Sequence, residues 1–119
     1  MTLLIIDDDP DASDLLKTFM EHNGHQVIQA YTAQDGLKAL KSSKPDAVFL
    51  DILLPDASGL DLLKDIKIND KETPIIMVTG FKDAENVVRA FQQGAFDCLL
   101  KPYNYDYLKN DILGKITRK

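Results

Sequence analysis

Carboxylates, a hydroxyl and an ammonium recur in this chain at one kind of place, just beyond a short apolar run. Asp7, Asp8 and Asp9 follow residues 3–6, Asp51 follows 47–50, Thr79 and Gly80 follow 74–78, and Lys101 and Pro102 follow 96–100. Three adjacent acids repel one another, and a partly buried carboxylate without a partner is costly. Asp7, Asp8 and Asp51 carry three negative charges and Lys101 returns one positive. One divalent cation cancels the remainder. The donors are hard oxygens, with no His or second Cys nearby, so Mg2+ is the natural ion and Mn2+ the alternative. A carboxylate in such a place can also attack phosphorus and form an aspartyl-phosphate. Thr79 can donate to a phosphoryl oxygen, Lys101 can sit against another, and Gly80 lets the backbone come close.

These groups meet only if the apolar runs are strands of one sheet. Five runs of strand length occur, at 3–6, 26–30, 47–50, 74–78 and 96–100, most of them rich in Val, Ile or Phe. Three are apolar nearly throughout, as strands buried on both faces are, whereas 26–30 is more polar and belongs at an edge. Amphipathic segments separate them, marked by Leu15, Leu16, Phe19 and Met20, by Leu37 and Leu40, by Leu60, Leu63 and Ile66, by Val87, Val88 and Phe91, and by Leu108, Ile112, Leu113 and Ile116. Asp9 can cap the first helix with Pro10 at its first position, and Gly24 and Gly94 close the first and fourth. Five βα repeats predict an α/β domain, an open parallel sheet with helices on both faces and right-handed crossovers. Ligands of such sheets bind beyond the carboxyl ends of the strands.

The bulk composition narrows the class. The chain has 119 residues, the size of one domain. A net charge of -5 argues against a nucleic-acid surface, which is usually basic. The lone Cys98 forms no internal disulfide, which fits a reducing compartment. No apolar stretch is long enough to span a bilayer. These features lead us to expect a cytoplasmic protein that neither crosses a membrane nor binds nucleic acid directly.

The motifs IIDDD, FLDILLPDASG, IIMVTG and LLKP occur in that order, and through them the chain resembles the receiver domains of two-component response regulators. The resemblance covers essentially all of residues 1–119. It implies a flavodoxin-like, doubly wound (βα)5 parallel sheet with strand order 2-1-3-4-5. It implies Asp51 as the phosphoacceptor, with Pro55 and Gly59 at the family's spacing behind it. It also implies Mg2+ held by Asp8, Asp51 and the main-chain carbonyl of Leu53, with Asp7 acting nearby through water. Thr79 becomes the switch hydroxyl, Lys101 the phosphate-binding lysine, and the peptide before Pro102 cis. A histidine kinase or histidine phosphotransfer protein supplies the phosphoryl group in this family. A downstream protein or fused output domain reads the face built from the fourth helix, fifth strand and fifth helix, which can also pair two copies. Such a domain is no enzyme beyond catalysing its own phosphorylation and dephosphorylation. Apolar Leu53 and Phe81, two residues beyond Asp51 and Thr79, imply slow loss of the phosphoryl group. The segment from Thr79 to Pro102 looks most like receivers of the nitrogen-regulator class.

One position departs from the family. Three residues before the lysine a Tyr or Phe commonly swings inward as the threonine moves, and here that residue is Cys98. A thiol cannot make that swing, which leaves Phe96 or Tyr103 as the neighbours able to substitute. A competing enzyme reading is a small Mg2+-dependent phosphatase of the haloacid-dehalogenase kind, whose first motif Asp7-x-Asp9 mimics. Against it, Asp9 leads into Pro10 as a helix cap and the chain has no room for a substrate-selecting cap domain. A flavin carrier of the same fold fails because the first strand–helix loop is acidic where phosphate would sit.

Overall fold

In the computed structural model, which describes residues 1–80 and 84–117, strands and helices alternate from end to end. They run β1 (Thr2–Ile6), α1 (Pro10–His22), β2 (Gln26–Ala30), α2 (Ala33–Ser43), β3 (Ala47–Asp51), α3 (Gly59–Asn69), β4 (Ile75–Gly80), α4 (Ala84–Gln92) and β5 (Asp97–Lys101). A π-helical stretch, Tyr107–Leu113, then continues into α5 (Gly114–Thr117). The strands are parallel and lie in the order β2-β1-β3-β4-β5, with the polar β2 at an edge as its composition requires.

Side-chain alternation along the strands builds two cores. Leu4, Ile6, Val48, Leu50, Ile75 and Met77 pack with Leu60, Leu63 and Ile66 of α3 and Ala90 of α4. Leu3, Ile5, Phe49, Ile76, Val78 and Leu99 point the other way, onto Leu16 and Met20 of α1 and Leu108, Ile112 and Ile116 near the C-terminus. Each fully buried Leu, Ile or Phe stabilises the fold by about 1.5–3 kcal/mol, which is how the sheet can carry an unfavourable charge cluster at one rim.

Several expectations need correction at their edges. β4 extends through Thr79 to Gly80 and β5 through Lys101, because Thr79 pairs with Leu100 and Gly80 with Lys101. The threonine and lysine therefore lie within the last two residues of their strands and not in the loops beyond. Leu15, Val88 and Phe91 are exposed although they sit at helical spacing with apolar neighbours. Leu16 and Met20 already fill the space under α1, and among the described side chains of α4 only the small Ala90 turns fully inward. The last helix is π-wound over Tyr107–Leu113 where an α-helix was expected, and it still buries Leu108, Ile112 and Leu113.

The loop after Asp51 doubles back tightly. Leu53 bridges Ser58 in antiparallel fashion, and the Gly59 N–H donates to the Ile52 carbonyl at 2.6 Å. A Cβ at Gly59 would run into the Asp51 carbonyl oxygen and lie 2.7 Å from the Ile52 Cα. Both obstacles are backbone, so neither can rotate aside. Gly59→Ala is expected to cost about 1–3 kcal/mol, the range for overpacking that moves backbone, read as a lower urea midpoint. An unchanged midpoint would contradict the crowding.

Candidate functional site

The strand ends bring the predicted groups to one rim. The Asp7 N–H donates to the Ala30 carbonyl at 3.0 Å, extending the β1–β2 ladder by one residue beyond Ile6. Its carboxylate is buried and accepts the Asp9 N–H at 3.0 Å. Asp8 is exposed. Asp9 turns away and caps α1, accepting from Asp11 at 3.0 Å and Ala12 at 3.4 Å, with Pro10 opening the helix. Asp51 ends β3, is 7% exposed, and accepts the Leu53 N–H at 3.1 Å. Carboxylate oxygens of Asp7, Asp8 and Asp51 all lie within 4.8 Å of one another.

Lys101 reaches into this cluster from β5, past β4. Its Nζ stands 3.1 Å from Asp7 Oδ2 and 3.1 Å from Asp51 Oδ2. Thr79, buried on the intervening strand, donates its hydroxyl to the Gly80 carbonyl at 3.4 Å. The Lys101–Pro102 peptide is cis. Leu53 is 74% exposed, and Phe81 lies outside the described residues.

One ammonium cannot neutralise two carboxylates. Burial pushes the Asp51 carboxyl up from an ordinary 3.8 to about 6, and Asp7 adds to that rise, while the Leu53 N–H and Lys101 pull the other way. Burial alone would lower the Lys101 ammonium, but the charges of Asp51 and Asp7 outweigh it and hold it above its usual value. Lysine is thus fixed as a cation.

Two further tethers were not anticipated from the sequence. The Asp56 carboxylate, in the loop after β3, accepts the N–H groups of Ala33 at 2.8 Å and Gln34 at 3.1 Å. These bonds hold its carboxyl below the usual carboxylate range and pin the Asp51 loop to the start of α2. Its only sequence signal was an acid near a helix N-terminus distant in the chain, which pattern alone does not pair. The second tether lies behind Lys101, where the Tyr107 hydroxyl donates to Asp97, 2.8 Å from each carboxylate oxygen. Burial, then the Asp97 bond, pushes the Tyr107 phenol up to about 12. Burial, then the Asp97 charge, pushes the adjacent Cys98 thiol up to about 11, so it carries little thiolate near neutrality. Cys98 lines a groove of about 890 Å³ with Val88, Phe91, Leu100 and Tyr107.

Strand order and an acid rim at the carboxyl ends define a doubly wound α/β domain whose reactive groups sit where that fold places its ligands. Residues 3–113 match the response regulator receiver domain family. The nitrogen assimilation regulatory protein NtrX of Azorhizobium caulinodans is 37% identical over 108 residues, covering 89% of this chain and 24% of that protein. The DNA-binding transcriptional regulator NtrC of Proteus hauseri is 40% identical over 102 residues, covering 86% and 22%. The crystal structure of the NtrX receiver domain from Brucella abortus superposes with a TM-score of 0.92 at 33% identity, covering 98% of each chain. A two-component response regulator from Clostridium difficile does so at 0.92 and 32%, covering 100% and 97%.

The chain belongs to the response regulator receiver domain family, the receiving module of two-component systems. It spans roughly a quarter of the NtrX and NtrC relatives and 50% of a probable C4-dicarboxylate response regulator from Priestia megaterium. Membership leaves the phosphatase reading without support, since receiver domains are not enzymes of the ordinary kind. Among the described residues, no helix is long and apolar enough to cross a membrane.

The charge imbalance has a measurable consequence. An acid whose folded pKa is raised destabilises the fold above that pKa, and the cost fades as pH falls toward the unfolded value. In metal-free buffer near neutral pH, Asp51→Asn should therefore raise stability by about 1–2 kcal/mol, with the lost Lys101 contact already offset. The gain should shrink as pH drops from about 6 toward 3.8. A variant less stable than the parent in neutral urea titrations would contradict this.

Proposed function

We propose that residues 1–119 form one receiver in which Asp51 accepts a phosphoryl group from a histidine kinase or histidine phosphotransfer protein. The observation that carries this reading is the shared Lys101, its Nζ 3.1 Å from both Asp7 and Asp51 in a cluster of three convergent carboxylates. An Asp51 oxygen attacks the phosphorus of a phosphohistidine. An O–P bond forms as the N–P bond breaks, and its electron pair goes to the imidazole nitrogen, which takes a proton from solvent. The acyl phosphate raises the local negative charge from one to about two. Lys101 meets one phosphoryl oxygen and the Thr79 hydroxyl another, so that charge develops against fixed donors.

The donor set suits a hard cation, three carboxylates with oxygens within 4.8 Å and no sulfur or imidazole among them. Asp8, Asp51 and the Leu53 carbonyl would hold Mg2+, with Asp7 acting through water. When bound, the ion supplies positive charge against the phosphoryl oxygens.

Movement of Thr79 and Lys101 alters the ends of β4 and β5, and through them α4. Exposed Val88, Phe91 and Leu100 flank the groove there and give a partner apolar surface to read. Cys98, buried at the position of the family's aromatic, cannot make the swing of a ring, which leaves Phe96 or Tyr103 as the neighbours to couple with Thr79. The partner is a downstream protein or a fused output domain, and a second copy can use the same face. The relatives' names, a nitrogen assimilation regulatory protein and a DNA-binding transcriptional regulator, favour transcriptional output. The setting is cytoplasmic.

Incubation with acetyl phosphate and Mg2+ should add one phosphoryl group to the intact mass of the parent and none to Asp51→Asn. Chelation of the ion should abolish the gain. An equal mass gain in the variant would refute Asp51 as the acceptor.

A further inference from the structure

The first turn of α2 is capped from two directions. Thr32 caps it locally, its Oγ1 accepting the Asp35 N–H at 3.0 Å. The N–H groups of Ala33 and Gln34 are then left to be met from outside the helix. Asp56 meets both, at 2.8 and 3.1 Å, from the loop after β3, 23 and 22 positions further along the chain. Its carboxylate is exposed. Water could serve two donors at such a surface, so the net gain in stability is modest. What the two bonds add is a fixed distance between the loop and α2.

The loop carries a group that needs such a fixture. Leu53, three residues before Asp56, is placed above among the groups that would hold Mg2+, through its main-chain carbonyl. Its side chain is 74% exposed, so the core does not hold it. On one side the Leu53 N–H donates to Asp51 at 3.1 Å. On the other, Leu54 rests against the core, the ring of Pro55 fixes one backbone torsion, and Asp56 anchors to α2. The far end of the loop is closed by Ser58, which accepts the Leu60 N–H at 3.3 Å, and by the Gly59 N–H on Ile52. Mg2+ demands near-ideal octahedral geometry, and a carbonyl free to swing holds it poorly.

We propose that Asp56 is a positioning residue of the cation site: it fastens the loop after β3 to the first turn of α2, so that the Leu53 carbonyl is held ready for the ion and α2 in turn registers whether the ion is bound. Asp56 lies outside the cluster of Asp7, Asp8 and Asp51 and acts through the loop backbone. The coupling is reciprocal. A tether that favours ion binding is itself favoured by the ion, so the Ala33 and Gln34 N–H groups become better protected when the ion arrives. This inference rests on the Mg2+ reading given above.

The test titrates Mg2+ into the parent, Asp56→Ala, Asp56→Asn and Thr32→Ala, following the backbone amides of Asp8 and Lys101 by NMR. Thr32→Ala removes a cap from the same helix end without touching the loop, and so measures what weakening α2 alone does. Asp56→Ala should bind Mg2+ about tenfold more weakly than the parent, the low end of the effect of removing a group that orients a metal ligand. Asp56→Asn, which keeps one acceptor oxygen, should fall between them, and Thr32→Ala should bind as the parent does. Saturating Mg2+ should slow hydrogen exchange at the Ala33 and Gln34 amides of the parent and leave it unchanged in Asp56→Ala. Parent-like affinity in Asp56→Ala, an equal loss in Thr32→Ala, or parent amides at Ala33 and Gln34 whose exchange ignores Mg2+ overturns the proposal alone. A parent that shows no Mg2+ binding overturns the cation reading, and the proposal with it.

Discussion

A single ammonium serves two buried carboxylates, and the rest of the rim is arranged around that shortage. Lys101 lies 3.1 Å from Asp7 and from Asp51, and the exposed Asp8 adds a third acid to the same cluster. In water such charges would cost little, but on buried strand ends the interactions are only partly screened. The domain therefore holds an electrostatic deficit that a cation can fill and a phosphoryl group can redistribute. A site fully satisfied by its own side chains would have no reason to change on loading.

The fold bears this cost through its sheet. β1, β3 and β4 are buried on both faces, and their alternating side chains feed two separate apolar layers. Parallel strands end at the same edge, which is why residues 44 positions apart, Asp7 and Asp51, come to share one lysine. The loop behind Asp51 is held twice, by close backbone packing at Gly59 and by Asp56 on the first turn of α2. Both restraints fix the carboxylate where Lys101 can reach it. The opposite boundary is looser in its packing, with Val88, Phe91 and Leu100 left on the surface around the groove beside Cys98.

Much of this was legible in the residues. Five βα repeats pointed to a parallel sheet and one polar run to its edge, the order 2-1-3-4-5 came with the family resemblance, and the rim followed from reading what ends each strand. Asp9 was separated from Asp7 and Asp8 because Pro10 marks a helix start, and the structure has it capping α1. What escaped was non-local. Asp56 pairs with a helix end 22 residues away in the chain, and Tyr107 with a carboxylate on the neighbouring strand, and neither pairing has a periodic signature. The outward turn of Val88 and Phe91 escaped for another reason. Helical spacing shows that two apolar side chains share a face, but not whether another layer covers that face.

The central claim is that the acid rim is a specific site for a hard cation and not a patch of diffuse negative charge. Paramagnetic broadening of backbone amides by sub-stoichiometric Mn2+ tests it directly. The account predicts that amides of Asp8, Ile52, Leu53 and Lys101 broaden first, while those of Asp70 and Glu72, at the other end of the sheet, stay sharp. Broadening spread evenly over exposed acids such as Asp35, Asp61 and Asp65 would contradict it.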